Sequence, residues 1–300
     1  MRKILVVGPS WVGDMVMAQS LFMSLKEAGE CSIDVLAPAW SLPILARMPE
    51  VRRGVIMPLG HGRLGLGARW RLGRELASER YGQAIVLPGS LKSALVPFFA
   101  RIPRRTGFRG EMRYGLINDM RPLDRALLPM TVQRFVALGQ PGGGARATPA
   151  FRVPRLVADA ANQRALAGRF GFDPARAAIA FMPGAEYGPA KQWPPARYAE
   201  LARQLVARGF QVWVLGSDKD RDAARPIAAD NDGVLDFTGR TELGDAVDLL
   251  ALARAAVTND SGLMHVAAAL DVPLAAIFGS SSPEHTPPLG TRVAIESLRL

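Results

Sequence analysis

Four loops in this sequence hold side chains that could do chemistry, and each follows a short apolar run. The first is Gly8-Pro9-Ser10-Trp11-Val12-Gly13-Asp14. Two glycines around a polar turn suggest a phosphate loop. A Walker A loop, however, continues with Lys and Ser/Thr after its second glycine, and here Asp14 and Met15 follow. The dinucleotide fingerprint needs three glycines spaced G-x-G-x-x-G, and only Gly8 and Gly13 fit. Neither an ATPase nor a standard NAD site is supported. What remains is a turn that delivers a carboxylate to the start of a helix. Asp14 can cap that helix, as Asp does well, or take a proton from an incoming hydroxyl as a general base. The loop alone leaves both open.

The second loop is Pro183-Gly184-Ala185-Glu186-Tyr187-Gly188-Pro189-Ala190-Lys191-Gln192-Trp193-Pro194. Its lysine is either an ordinary exposed charge or a point charge that neutralises a phosphate. In the third, Gly216-Ser217-Asp218-Lys219-Asp220, Asp218 can accept from ribose hydroxyls or cap the next helix. The fourth is Thr258-Asn259-Asp260-Ser261-Gly262-Leu263-Met264-His265. Capping by Asp260 or Ser261 would leave the amides of Gly262, Leu263 and Met264 pointing outward at the positive end of a helix dipole, an anion site. Gly262 lets a diphosphate approach closely. His265, one turn in, could donate to the same oxygens, although a lone histidine is more often structural. Together these loops supply a phosphate site, a ribose acceptor and a lysine in the second half, and a carboxylate in the first.

The elements that must position these loops alternate. Apolar strands are expected at 3–7, 32–36, 55–57, 84–87 and 105–108, with helices at 15–28, 69–80 and 91–100. The run from Gln140 to Pro149 contains three glycines flanked by prolines and reads as a linker. Beyond it the alternation resumes. Strands are expected at 178–182, 210–215, 234–237, 255–258 and 273–278, and helices at 195–208, 219–230, 245–254 and 263–270. Repeated β-α-β units with apolar strands imply parallel sheets covered on both faces. The expectation is α/β: two Rossmann-like domains, 1–150 and 151–300, with their parallel sheets facing a cleft and ligands at the carboxyl ends of the strands.

Composition bounds the class. Apolar residues make up 49% of the 300 and charged residues 21%, which excludes a disordered chain. A single cysteine, Cys31, forms no internal disulfide and fits a reducing compartment. The apolar run at the start, Ile4 to Val7, is too short for a signal peptide, and no stretch is long enough to span a bilayer. A soluble cytoplasmic protein is expected. The net charge of +10 is lopsided: residues 1–150 hold 21 Lys/Arg against 10 Asp/Glu, and the remainder 16 against 17. That bias reads either as a solubilising surface or as a face for an anionic partner.

Longer segments carry a resemblance over essentially the whole chain. GPSWVGDMVMAQSL at 8–21, PGAEYGPAKQWP at 183–194, NDSGLMHVAAAL at 259–270 and FGSSSPEHTPPL at 278–289 resemble the ADP-heptose–lipopolysaccharide heptosyltransferases, the second enzyme of that family more than the first. The resemblance implies the GT-B fold and an inverting, metal-independent transfer of heptose from ADP-heptose to the heptosyl-Kdo2-lipid A inner core. ADP-heptose is then a substrate, and no cofactor is expected. By position the resemblance makes Asp14 the catalytic base and Lys191 the phosphate lysine. Asp218 becomes the ribose acceptor, and Asp260, Ser261, Gly262, Leu263, Met264 and His265 the diphosphate turn.

The acceptor carries Kdo carboxylates and lipid phosphates. Trp11, Gly13, Arg104, Arg105 and Arg109 are therefore expected to face it. Arg101 and Arg113 join the last three around one loop, and Arg63, Arg69, Arg71 and Arg74 form a second basic group. A monomer in peripheral contact with the inner face of the inner membrane is expected, with no nucleic acid. Glu186, Glu284 and His285 lie in the same loops without an assigned role. Family members continue past Leu300 with a helix that returns to the first domain, so the chain is expected to be cut short there. The rivals are the first or third heptosyltransferase, a nucleotide-sugar epimerase, and a basic membrane- or nucleic-acid-binding module. The last would leave Asp14, Lys191 and the 260–265 turn without purpose, and it lacks the aromatic pattern of single-strand binders.

Overall fold

The computed structural model describes residues 2–60, 62–142, 147–185, 191–229 and 231–297. The chain divides into two compact units, Met1–Pro154 and Arg155–Leu300. The division falls just after the Gly- and Pro-rich run, part of which (143–146) lies outside the described residues.

The first unit is built on a six-stranded sheet of β1 (Arg2–Val7), β2 (Cys31–Ala37), β3 (Val51–Ile56), β4 (Gln83–Val86), β5 (Arg104–Phe108) and β6 (Asp119–Arg121), in the order β3-β2-β1-β4-β5-β6. Every pairing is parallel. Helices α1 (Val12–Glu27), α2 (Leu42–Leu45), α3 (Leu66–Leu76), α4 (Leu95–Phe99) and α5 (Thr131–Gly139) join the strands or follow them. The central strands are apolar on both faces because helices cover both, and Ile4, Leu5, Ala84, Ile85 and Val86 are fully buried. α1 begins at Val12, three residues earlier than its apolar pattern suggests. It is buried round most of its circumference, against the sheet and α5. Its polar residues are absorbed by specific partners: Gln19 donates to Glu50 at 2.9 Å, and Ser20 to the carbonyl of Arg152 at 2.7 Å.

β3 starts four residues before the expected strand. Arg52 and Arg53 hide it from an apolar pattern, yet both reach Asp34 of β2 (Arg52 Nε at 2.8 Å, Arg53 Nε at 3.1 Å), and Tyr81 also donates to that carboxylate. Burial alone would raise the pKa of Asp34. Hydrogen bonds from Arg52, Tyr81 and Arg53 reverse that and hold it below the usual carboxylate range.

The second unit repeats the plan with β7 (Ala178–Met182), β8 (Gln211–Val214), β9 (Val234–Asp236), β10 (Ala255–Asn259), β11 (Leu274–Phe278) and β12 (Val293–Ser297), in the order β12-β11-β10-β7-β8-β9, again all parallel. Its helices are α6 (Ala160–Phe170), α7 (Pro195–Ala207), α8 (Arg221–Ala228), α9 (Leu243–Leu252) and α10 (Gly262–Ala269). One face of this sheet packs Ile179, Phe181, Val212 and Val214 against Tyr198, Ala202, Ala224 and Ile227. Read from their central strands outward, the two sheets share one winding order, the nucleotide-binding order of doubly wound proteins. Among the described residues, no helix is long and apolar enough to cross a membrane.

Candidate functional site

In each sheet the winding reverses between two central strands, β1 and β4 in the first and β7 and β10 in the second. A doubly wound sheet opens a crevice at the carboxyl ends of such a pair. The loop bearing Asp14 leaves β1, the loop bearing Lys191 leaves β7, and the turn from Asp260 to His265 leaves β10. The sequence motifs therefore stand at the two places where this topology accepts a ligand.

Asp14 is the third residue of α1. The capping position belongs to Trp11, whose side chain makes no capping bond, so Asp14 is not the helix cap. Its carboxylate is half-buried and has no side-chain hydrogen bond or ion pair among the described residues. Burial pushes its pKa up to about 6. The positive end of α1 works in the other direction, and a carboxylate with this balance is a base matched to neutral pH. Gly13 is buried in the same turn, while the Trp11 indole is 44% exposed beside it.

In the second unit, Lys191 Nζ lies 2.8 Å from Asp260 Oδ2. Both side chains are partly shielded from water, which strengthens the pairing relative to a surface ion pair. Ser261 occupies the capping position of α10 but does not cap it, and its hydroxyl faces Thr258 Oγ1 at 3.4 Å. The amides of Gly262, Leu263 and Met264 therefore begin the helix without an intrahelical acceptor. Beside them stands a lysine held by the residue preceding the cap. Met264 is buried and contributes only its amide. His265 is also buried; desolvation drives its pKa down to about 4 against a smaller upward pull from Asp260. It is neutral at physiological pH and offers one N–H, not a cation.

Asn259 was not singled out from sequence, because its role is visible only in three dimensions. It is fully buried. Its Nδ2 donates to the carbonyl of Pro183 at 2.6 Å, and its Oδ1 accepts from the amide of Trp193 at 2.9 Å and the hydroxyl of Tyr198 at 3.2 Å. One side chain thus clamps both ends of the loop that carries Lys191. Asn259→Asp keeps the shape but sets an oxygen against the Pro183 carbonyl. An unmatched buried polar group costs about 1–3 kcal/mol. We expect a lower melting temperature and roughly tenfold weaker nucleoside diphosphate binding by calorimetry. Unchanged affinity in a destabilised variant would limit Asn259 to the fold.

The turn after β8 divides its two acids. Asp218 is exposed and pairs with Arg221 Nε at 2.6 Å. It does not cap the helix: Ser217 takes that position, and Asp220 accepts from both its amide and its hydroxyl at 2.8 Å. A Cβ on Gly184 would fall 2.2 Å from Asp220 Oδ1. This close approach places the Asp220 carboxylate at the ends of β7 and β8. Its sequence signal is the capping-box spacing from Ser217 to Asp220. Glu284 and His285 are exposed in the segment after β11. Glu186, with the rest of 186–190, lies outside the described residues.

The arginines of the first unit separate by register. Gln83 pairs with Ile4 and Arg104, and Ala84 with Leu5 and Arg105, so Arg104 and Arg105 open β5 level with the middle of β1, short of the carboxyl end from which the Asp14 turn leaves. Arg104 is paired with Asp119 at 2.9 Å. Arg105 donates to the carbonyls of Leu116, Ile102 and Gly115. These two therefore open β5, while the Asp14 turn leaves the other, carboxyl end of β1. Arg109 follows β5 at the same edge as Asp14 and is exposed, without a side-chain partner among the described residues. Arg113 is fully buried and bonded to the carbonyls of Pro88 and Phe108, and Arg69 is buried among those of Leu64, Lys92 and Arg63. Both are structural.

Comparison with known proteins shows the family and the fold. The model of glycosyltransferase family 9 (heptosyltransferase) matches residues 69–300. The chain is 51% identical over 303 residues to the lipopolysaccharide heptosyltransferase 2 of Salmonella typhimurium, covering 98% of this chain and 87% of that protein. Among solved structures it is similar to the E. coli ADP-heptose LPS heptosyltransferase II, with a TM-score of 0.91 and 48% identity over 98% of this chain and 89% of the other. The E. coli heptosyltransferase WaaC with ADP shares the fold at a TM-score of 0.74 and 20% identity, covering 100% of this chain and 94% of that one.

Proposed function

This chain belongs to glycosyltransferase family 9, the heptosyltransferases, and from that premise we propose how its residues carry out the transfer. The enzyme is a lipopolysaccharide heptosyltransferase of the second type, which moves heptose from ADP-heptose to heptosyl-Kdo2-lipid A. The second unit holds the donor. Its diphosphate lies on the amides of Gly262, Leu263 and Met264, with Lys191 beside it and the neutral His265 as a further donor. The ribose falls to the turn after β8. There Asp218 and Asp220 offer carboxylate oxygens, and Asp220, at the strand ends, is the better placed. The first unit holds the acceptor, with Trp11, Gly13 and Arg109 on the Asp14 side of the sheet.

Asp14 takes the proton of the acceptor hydroxyl as its oxygen attacks the anomeric carbon from the face opposite ADP. The bond from that carbon to the diphosphate oxygen breaks, ADP leaves, and the configuration inverts. Negative charge grows on the leaving oxygen, where the fixed ammonium and amides stabilise it more than they stabilise the bound donor. The observation that carries this reading is the Lys191–Asp260 pair beside three amides without intrahelical acceptors, at the switch point of the second sheet. The acceptor is held at the inner leaflet, so the enzyme works as a peripheral protein on the inner face of the inner membrane.

Incubation with ADP-heptose and either Kdo2-lipid A or its mono-heptosylated form, followed by mass spectrometry, tests the assignment. One added heptose on the heptosylated acceptor alone is the expected result. Addition to the bare acceptor would make the chain a first transferase.

A further inference from the structure

One surface of the first unit is unexplained by donor, acceptor or core. α3 exposes Leu66, Trp70 and Arg74, spaced i, i+4, i+8 along one helical face. α4 lies against it. Gly73 permits the contact, since a Cβ there would fall 2.5 Å from Phe99 Cβ. Between the two helices runs an open groove of ≈ 420 Å³ lined by Trp70, Arg74, Phe98, Phe99, Arg101 and Arg105. No acidic residue is among them. Trp70 and Phe98 remain 52% and 42% exposed, an unusual cost for large apolar side chains in water unless something covers them. Arg105 turns its charge inward, stacking on Phe98 at 5.6 Å and bonding to carbonyls. Arg74 and Arg101 have no side-chain partner among the described residues.

Arg101 adds an independent observation. It follows α4 with φ 54°, and the amides of Arg101 and Ile102 close the helix on the carbonyls of Phe98 and Pro97. This left-handed position after a helix is the one glycine fills at least cost. An arginine here strains the backbone, and among the described residues its guanidinium has no partner to offset that.

We propose that the α3–α4 face is a membrane-docking surface that seats on an anionic phospholipid bilayer. Trp70, Phe98 and Leu66 enter the headgroup region, and Arg74 and Arg101 meet lipid phosphates. Tryptophan beside arginine is the pairing that interfaces favour, because an apolar body enters while a cation holds the phosphate plane. The lopsided charge of the chain matches such a partner and opposes a second copy of the same basic face. The inference deepens the reading of a membrane-held acceptor and rests on it only for its setting.

Flotation with vesicles of phosphatidylglycerol and phosphatidylethanolamine, free of acceptor, scores docking apart from turnover. The wild-type chain is expected to float with these vesicles and to stay behind with phosphatidylcholine. Arg101→Gly combined with Arg74→Gln should lower partitioning about tenfold or more, at roughly fivefold per arginine. Arg101→Gly alone should leave the melting temperature equal or higher, since it relieves strain. Trp70→Ser should abolish the vesicle-induced blue shift of tryptophan emission, while turnover on detergent-dispersed acceptor is retained. Vesicle binding unaffected by these changes would overturn the proposal, as would a Trp70→Ser effect seen only as loss of self-association in sedimentation. Docking of the wild-type chain without turnover on either acceptor would instead count against the proposed reaction and leave the docking surface standing.

Discussion

Asp14→Asn is expected to lower kcat by about 10²–10⁴-fold, the range that a positioned general base supplies, while ADP still binds. Asparagine keeps the shape of the side chain and removes the basic lone pair. The wild-type kcat/KM should fall on acidification with a midpoint near 6, where burial sets the carboxyl of Asp14, and that limb should vanish in the variant. The same shift has a consequence for stability. Folding raises this pKa from 3.8 to about 6, so the fold disfavours the ionised form. Its contribution is fully present below the unfolded value and is lost as pH rises through the folded one. At pH 7.5 the variant should therefore melt higher than wild type, by up to about 3 kcal/mol at 1.4 kcal/mol per unit. Below pH 4 the difference should disappear. Single-turnover kinetics and thermal melts at the two pH values check both halves. Retained turnover would remove Asp14 from the chemistry, and an unchanged melt would contradict its burial.

Lys191→Met should cost about 10²–10³-fold in turnover, comparable to losing one oxyanion donor, and unlike Asp14→Asn it should also weaken ADP. Part of the loss comes from what is left behind. Lys191 sits 2.8 Å from Asp260, and without the ammonium that carboxylate faces an incoming diphosphate. Lys191→Met with Asp260→Asn should therefore bind ADP more tightly than Lys191→Met alone. A double-mutant cycle by calorimetry would read this as a coupling of order 1 kcal/mol or more. Additive losses would mean that the two residues act separately, and the pair would then not be the phosphate clamp.

These two residues were legible in the sequence for a common reason. Glycine, proline and short apolar runs are local signals, and they place the strand ends, hence the loops after β1, β7 and β10, without knowledge of the rest of the chain. The alternation of strands and helices likewise announced two parallel α/β units. Less visible were elements whose stability is not local. β3 begins at Val51 and carries Arg52 and Arg53 because Asp34 of β2 neutralises them, its carboxylate held in turn by the Tyr81 hydroxyl. Among the described residues β12 pairs with β11 alone, along the edge of its sheet, and its short apolar run, Val293 to Ile295, is mostly exposed.

Residue type and spacing determined the doubly wound fold and set Asp14 and the 260–265 turn just beyond the ends of their strands. Tertiary structure alone decided what each arginine does. Arg113 and Arg69 are consumed by backbone carbonyls, and Arg104 and Arg105 are held at the start of β5 by Asp119 and by loop carbonyls. Arg109 stands on the Asp14 side, while Arg74 and Arg101 face outward between α3 and α4. Tertiary structure also set Asp220, not Asp218, against Gly184. The physical reason is that a charge is defined by its partners. A guanidinium finds its acceptors wherever the fold brings carbonyls and carboxylates, and parallel-strand register, which no local pattern encodes, determines which edge it reaches.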